Sequence, residues 1–229
     1  MNDIIKTAGR TGNAGSMYFD YTNRNVILIG MPSSLNINAL PLGLTMSAWF
    51  KLNENLSTYH SIFGNGYLTG NVRGYGIYIG ANIVACQIRD MENFTYFHAS
   101  YNYNINTWYN LIGVVNPDIR RLYMYVNGIF IDSLSYSSLI TDITPSVLTR
   151  ISQSNNFSFN GNIGLTQLYH RVLNTNEIKL LSQCLPISRS GLVGEWKLNE
   201  MSGTTAFDTS GQGNHGTIVG ATYSTDKPF

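Results

Sequence analysis

GLVGEWKLNEMSGTTAFDTSGQGNHGTIVGATY, residues 191–223, reads as an alternating strand, a polar loop punctuated by glycine, and a second short strand. Only six residues follow it. The GEWKL strand carries an apolar face, and too little chain lies beyond to cover that face with strands of its own. The segment either supplies strands to a sandwich encoded upstream or opens a further domain. The second reading leaves Trp196 uncovered.

Upstream, strand signals come in close series. MYFDY is short, and NVILI at 25–29 is β-branched. LTMSAWFKL at 44–52 alternates, with Met46, Ala48, Phe50 and Leu52 on one face and Thr45, Ser47 and Lys51 on the other. Trp49 breaks that pattern, which a covering element, a ligand or a second packed layer would each explain. SIFGN, GYGIYIG at 74–80, NIVACQIRD at 82–90, FTYFHASYNY at 94–103, TWYNLIGVV at 107–115 and RLYMYV at 121–126 follow. Asn127-Gly128 then joins RLYMYV to IFIDS, a hairpin signal because both central residues of a type I′ turn need positive φ. NFSFNGNIGLTQLYHRVL at 156–173 is the last block before the tail.

One helix stands out, with Asn174 as cap, Glu177 three residues on, and Ile178, Leu180 and Leu181 after it. At about two turns it must lean on other structure to persist. Many short strands with one short helix predict an all-β, two-sheet antiparallel β-sandwich of jelly-roll kind. A chain of 229 residues can build one substantial core, so residues 1–229 are expected to form a single domain with an arm or loop at 1–14.

The composition is 43% hydrophobic and 12% charged, with a formal charge of +1. The charged share is about half the usual value, so solubility rests on neutral polar groups, 26 asparagines among them. Lysines and arginines are scattered, and Arg120-Arg121 is the only adjacent pair; no patch can neutralise several phosphates, which argues against nucleic acid. No stretch approaches a membrane span, and the first twenty residues hold no apolar run of signal-peptide length. Cys86 in a strand and Cys184 beyond the helix read as two free thiols of a chain made in a reducing host cytoplasm.

Several blocks together resemble the laminin-G-like, concanavalin A-like lectin/glucanase superfamily. They are LTMSAWFKLNE, HSIFGNG, GYGIYIG, NTWYNLIGVVNPDIRRLYMYVNGIFIDS and FNGNIGLTQLYHRVLNTNEIKLL, within residues 15–182. In that family a segment similar to 191–223 comes first, ahead of one similar to GSMYFDYTNRNVILI at 15–29. The resemblance therefore implies a circularly permuted chain, with QCLPISRSG at 183–191 as linker and 192–223 completing the sandwich. Completion within the same body and exchange with a neighbour both fit, since nine extended residues reach about 30 Å.

The resemblance also bears on sites. Loops similar to Asp208–Gly216 look like structural calcium sites in the family, which carries Asp208 and Asn214 over as metal candidates. Calcium asks for six to eight oxygens, and Gly164, Leu165 and Thr166 stand where the family often has acidic residues. The alternative is a turn closed by Asp208, Ser210 and Asn214, with Gly211, Gly213 and Gly216 as turn positions; no other cofactor is implied. His60, His98, His170 and His215 show no zinc-like spacing. Asp90 with Glu92, and Glu195 with Glu200, do not reproduce a glycosidase carboxylate pair, so no enzyme is expected.

YFHASYNYNINTWYN at 96–110 is the richest polar-aromatic stretch, and it offers Tyr96, Tyr101, Tyr103, Trp108 and Tyr109 to a glycan or an interface. Tyr67 and Tyr75 are further glycan candidates. The low charge and the resemblance point to a non-catalytic structural or decoration protein of a bacteriophage virion. It would sit on the capsid surface, a fibre or the tail, packed against other virion proteins or copies of itself. The alternative is a carbohydrate-binding module or adhesin domain that contacts surface glycans.

Overall fold

The computed structural model describes residues 14–37, 42–66, 72–90, 94–137, 143–144, 147–154 and 157–228. The arm expected at 1–14 lies outside them apart from Ala14, as do Tyr67 and Glu92. Strands are numbered in chain order. The first sheet contains β1 (Ser16–Phe19), β3 (Leu44–Leu52), β8 (Trp108–Asn116), β9 (Arg121–Val126), β10 (Ile129–Ser135), β14 (Gly161–Tyr169), β15 (Leu192–Trp196) and β18 (Thr222–Ser224). The second contains β2 (Val26–Gly30), β4 (His60–Gly64), β5 (Gly74–Gly80), β6 (Ile83–Arg89), β7 (Phe94–Ser100), β11 (Thr149–Ile151), β16 (Thr205–Ala206) and β17 (Gly216–Val219). A small hairpin of β12 (Gln153–Ser154) and β13 (Phe157–Ser158) stands apart.

The first sheet runs β10-β9-β8-β3-β14-β1-β18, and β15 also pairs with β14. The second runs β16-β17-β2-β11-β4-β5-β6-β7. All pairings are antiparallel, which makes an all-β two-sheet sandwich. The core lies between the sheets, where Met46, Ala48, Phe50 and Leu52 of β3 meet Ile77 and Ile79 of β5 and Val84 and Cys86 of β6. Asn127 and Gly128 take φ of 52° and 76°, as the type I′ turn between β9 and β10 requires.

The tail contributes to both layers. β14 is long enough to take β1 along Gly161–Gly164 and β15 along Thr166–Tyr169 on one edge. β17 pairs with β2, and β18 with β1. Trp196 is fully buried, its ring centroid 5.6 Å from Phe63 of the opposite sheet.

One helix, α1 (Thr175–Leu181), packs on the outer face of the first sheet. Asn174 accepts from the backbone N–H groups of Asn176 and Glu177, and Glu177 completes a capping box. Arg171 donates to both Glu177 carboxylate oxygens at 2.8 and 2.6 Å. Ile178 and Leu181 face Ile112, Val114, Tyr125 and Tyr169, whereas Leu180 is exposed. Trp49 belongs to a second small apolar layer with Ala14, Leu165 and Cys184 on this outer face, which explains its break from alternation.

Candidate functional site

The Asp208–Gly216 loop is closed from within. One Asp208 carboxylate oxygen accepts from the N–H groups of Glu195 and Ser210 at 2.9 and 2.8 Å. The other accepts from the Ser210 hydroxyl and the Asn214 N–H at 2.7 and 2.9 Å. A carboxylate has about four lone-pair positions, and four protein donors fill them. Asn214 is tied as well: its amide donates to the Val193 carbonyl at 2.7 Å and accepts from the Ser34 hydroxyl at 2.7 Å. Neither residue is available to calcium, so the donor set does not fit the ion. Among the described residues, no group of three His, Cys, Asp or Glu side chains could hold a metal. Gly211 and Gly213 are exposed turn residues, while Gly216 lies in β17, pressed so close to Ile27 that a side chain would collide.

The aromatic stretch at 96–110 is split between three environments, because β7 belongs to the second sheet and β8 to the first. Tyr103 and Tyr109 are buried in the core on either side of Phe50, at centroid distances of 6.5 and 5.8 Å. The Tyr103 hydroxyl donates to the Gly80 carbonyl, and Tyr101 packs edge-on against Tyr109 at 5.9 Å. Trp108 lies on the outer face of the first sheet, where its indole N–H donates to Asp226 at 2.9 Å. Tyr75 is likewise a core residue. Of the candidate tyrosines among the described residues, Tyr96 is the one that points outward from the second sheet.

Tyr96 has company there. The register places Gly76, Gln87 and Tyr96 in one cross-strand row and Tyr78, Ala85 and His98 in the next. Their neighbours Ile77, Cys86 and Phe97 point into the core, so these two rows face away from it. Tyr78 lies down across Gly76, its ring 2.8 Å from where a Cβ would stand, and its hydroxyl donates to the Gly66 carbonyl at 2.6 Å. Tyr59, from the loop before β4, meets Tyr96 edge-on at 6.0 Å, and Tyr96 faces His98 at 5.6 Å. Tyr59 and Tyr96 are half-buried and His98 is exposed, so part of each ring reaches solvent. Burial, and then the hydrogen bond to Tyr59, hold the Tyr96 hydroxyl protonated well above the ordinary phenol range. Arg150 shares the row of Gly76 through Gly64, and Arg89 lies opposite Gly74.

Tyr78, Ala85 and Gln87 are themselves fully buried, so what this face presents to solvent is the Tyr59–Tyr96–His98 ring cluster at its β7 edge. Such groups can stack on an apolar ring face while hydrogen-bonding its polar rim. Sequence reasoning named Tyr96 but missed Tyr59 and gave His98 no role. The alternation of FTYFHAS was the available signal, since it sets Tyr96 and His98 on the face opposite Phe97.

Residues 22–179 match a laminin-G-type family model of the concanavalin A-like lectin/glucanases superfamily. The chain belongs to that superfamily. No curated protein matches it. Among solved structures, the superfamily fold is shared with a candidate carbohydrate-binding protein from Bacteroides ovatus at a TM-score of 0.71 and 17% identity. That match covers 93% of this chain and 60% of the other, so the chain spans about three fifths of that protein's length. The CBM40 of a Ruminococcus gnavus IT-sialidase matches with a TM-score of 0.57 and 17% identity over 73% of this chain and 96% of its own. A heptameric SAP-like pentraxin from Limulus polyphemus gives 0.62 and 12% over 94% and 97%. At these identities the likeness is one of fold.

These matches correct the expectation of a virion structural or decoration protein packed against virion proteins or copies of itself. The relatives include sugar-binding modules, one of them the same CBM40 with α2,3-sialyllactose bound, and no virion relationship supports the earlier reading. The physical basis for that reading also weakens. The stretch taken as an interface rim places Tyr103 and Tyr109 in the core, where no partner can reach them.

Proposed function

We propose that this domain is a non-catalytic carbohydrate-binding module of lectin type, with its sugar site at the β7 edge of the second sheet. The observation that carries the reading is the Tyr59–Tyr96–His98 ring cluster, half-buried to exposed at the β7 edge of the second sheet. The fold shared with carbohydrate-binding proteins supports it. A glycan array probed with the purified chain, followed by calorimetric titration of the best glycan, tests it. Tyr96→Ala should weaken that glycan by about 1–2 kcal/mol, roughly 5- to 30-fold. Retention of wild-type affinity by Tyr96→Ala and His98→Ala, or silence across the array, would remove the sugar site from this edge.

We infer further that the strand order is a circular permutation of the usual one, with 183–191 as the joining linker. The family match stops at residue 179, yet the later strands β15 and β17 pair with β14 and β2.

A further inference from the structure

At the end away from the helix, the outer face of the first sheet presents the cross-strand row Thr222, Tyr18, Asn162, Lys51 and Trp108. Beyond β18 the chain turns across this row and sets Asp226 upon it. One Asp226 carboxylate oxygen accepts from the Trp108 indole N–H at 2.9 Å, and the other pairs with the Lys51 ammonium. The Ser16 hydroxyl donates to the Asp226 carbonyl. Lys51 is only 12% exposed, and Asp226 is its one ionic partner among the described residues. In the next row, Gly164 leaves a floor without a side chain, and Pro228 lies 3.6 Å from its Cβ position. An open cleft of about 230 Å³, lined by Asn199, Met201, Ser224, Thr225 and Lys227, runs beside the tail.

We propose that Lys51 and Trp108 form a carboxylate-binding site, filled at rest by the tail's own Asp226, that takes the carboxylate of an acidic sugar when the tail lifts. The donor set is the one that recognises an exposed carboxylate: a cation and a neutral N–H, one for each oxygen, in partly desolvated surroundings. The indole ring of Trp108 offers a stacking surface for a pyranose. Asp226 is 43% exposed, so an incoming carboxylate can reach it. A tethered competitor acts at millimolar effective concentration or above, so it lowers the apparent affinity of the free ligand without abolishing it.

The site is separate from the sheet edge assigned to sugar binding, and its test is separate too. Glucuronate is the probe and glucose the neutral control, titrated at constant ionic strength into the full chain. Asp226→Ala should bind glucuronate at least about tenfold more tightly than wild type and ignore glucose. Asp226→Ala combined with Lys51→Met should lose that binding, and Tyr96→Ala should leave it unchanged. In the unaltered protein, concentrated glucuronate should shift the indole N–H resonance of Trp108 and leave those of Trp49 and Trp196 in place. Equal affinities for wild type and Asp226→Ala, or an unmoved Trp108 resonance, would reduce Asp226 to a clasp that fastens the chain end.

Discussion

Replacing Trp196 by alanine tests whether the tail is part of the folded body. The side chain is fully buried, bridges from β15 to Phe63 in the opposite sheet, and donates its indole N–H to the Asn214 carbonyl at 2.8 Å. Truncating a core tryptophan costs about 3–5 kcal/mol in lost burial and residual cavity. Leaving the buried Asn214 carbonyl without its donor adds about 1 kcal/mol. The sum, about 4–6 kcal/mol, is a large share of the roughly 5–15 kcal/mol that holds a typical domain together. Urea unfolding followed by circular dichroism should show a much lower midpoint at an unchanged slope. Trp196→Phe, which keeps a ring but no donor, should lose about 1–2 kcal/mol. A loss below about 1 kcal/mol for Trp196→Ala would mean that β15 lies outside the cooperative unit, and the fold argument would fail.

Millimolar Ca²⁺ should leave the melting temperature unchanged, whereas Asp208→Ala should lower it by opening the 208–216 loop; a calcium-dependent rise would show that the carboxylate is less committed than its four donors indicate. Burial pushes the His170 pKa down to about 4 from its ordinary 6.5. The unfolded chain therefore takes up a proton that the native state refuses, so stability is full above 6.5 and declines as pH falls towards 4. His170→Asn should flatten that acid-side slope in urea midpoints, and an unaltered slope would exclude His170 as its source. Burial also raises the Cys86 thiol to about 12 and encloses Cys184 as well, so both cysteines should resist a thiol reagent until the chain unfolds. Removing the Arg171 clamp with Arg171→Met should destabilise α1 by about 1 kcal/mol, more at neutral pH than in acid. Arg171 holds the Glu177 pKa below its usual value, so the pairing contributes above the ordinary carboxylate pKa and fades as pH falls through the lowered one.

Period-two alternation made β3, β5, β6, β8 and β9 readable, and the capping pair Asn174–Glu177 made α1 readable, because each signal is local. β11 escaped notice: Thr149–Ile151 is three residues long and exists because β2 and β4 flank it. The aromatic stretch misled for a related reason. Polarity along 96–110 says which residues are amphipathic, but not that the chain crosses from one sheet to the other between Ser100 and Trp108, which sends Tyr103 and Tyr109 inward. The Lys51–Asp226 pairing joins positions far apart in sequence, and no local pattern announces it.

The shared edge of β14 has a consequence for the order of events in the cell. Until the ribosome has released residues 192–224, half of that edge, the free side of β2 and the outer side of β1 stay open, with Phe63 facing an unfilled gap. At about 5–20 residues per second such an intermediate lasts for seconds, long enough for stray chains to anneal to it. Nascent copies should therefore depend on chaperone shielding until those residues emerge, even though the folded domain presents β14 with both of its sides taken.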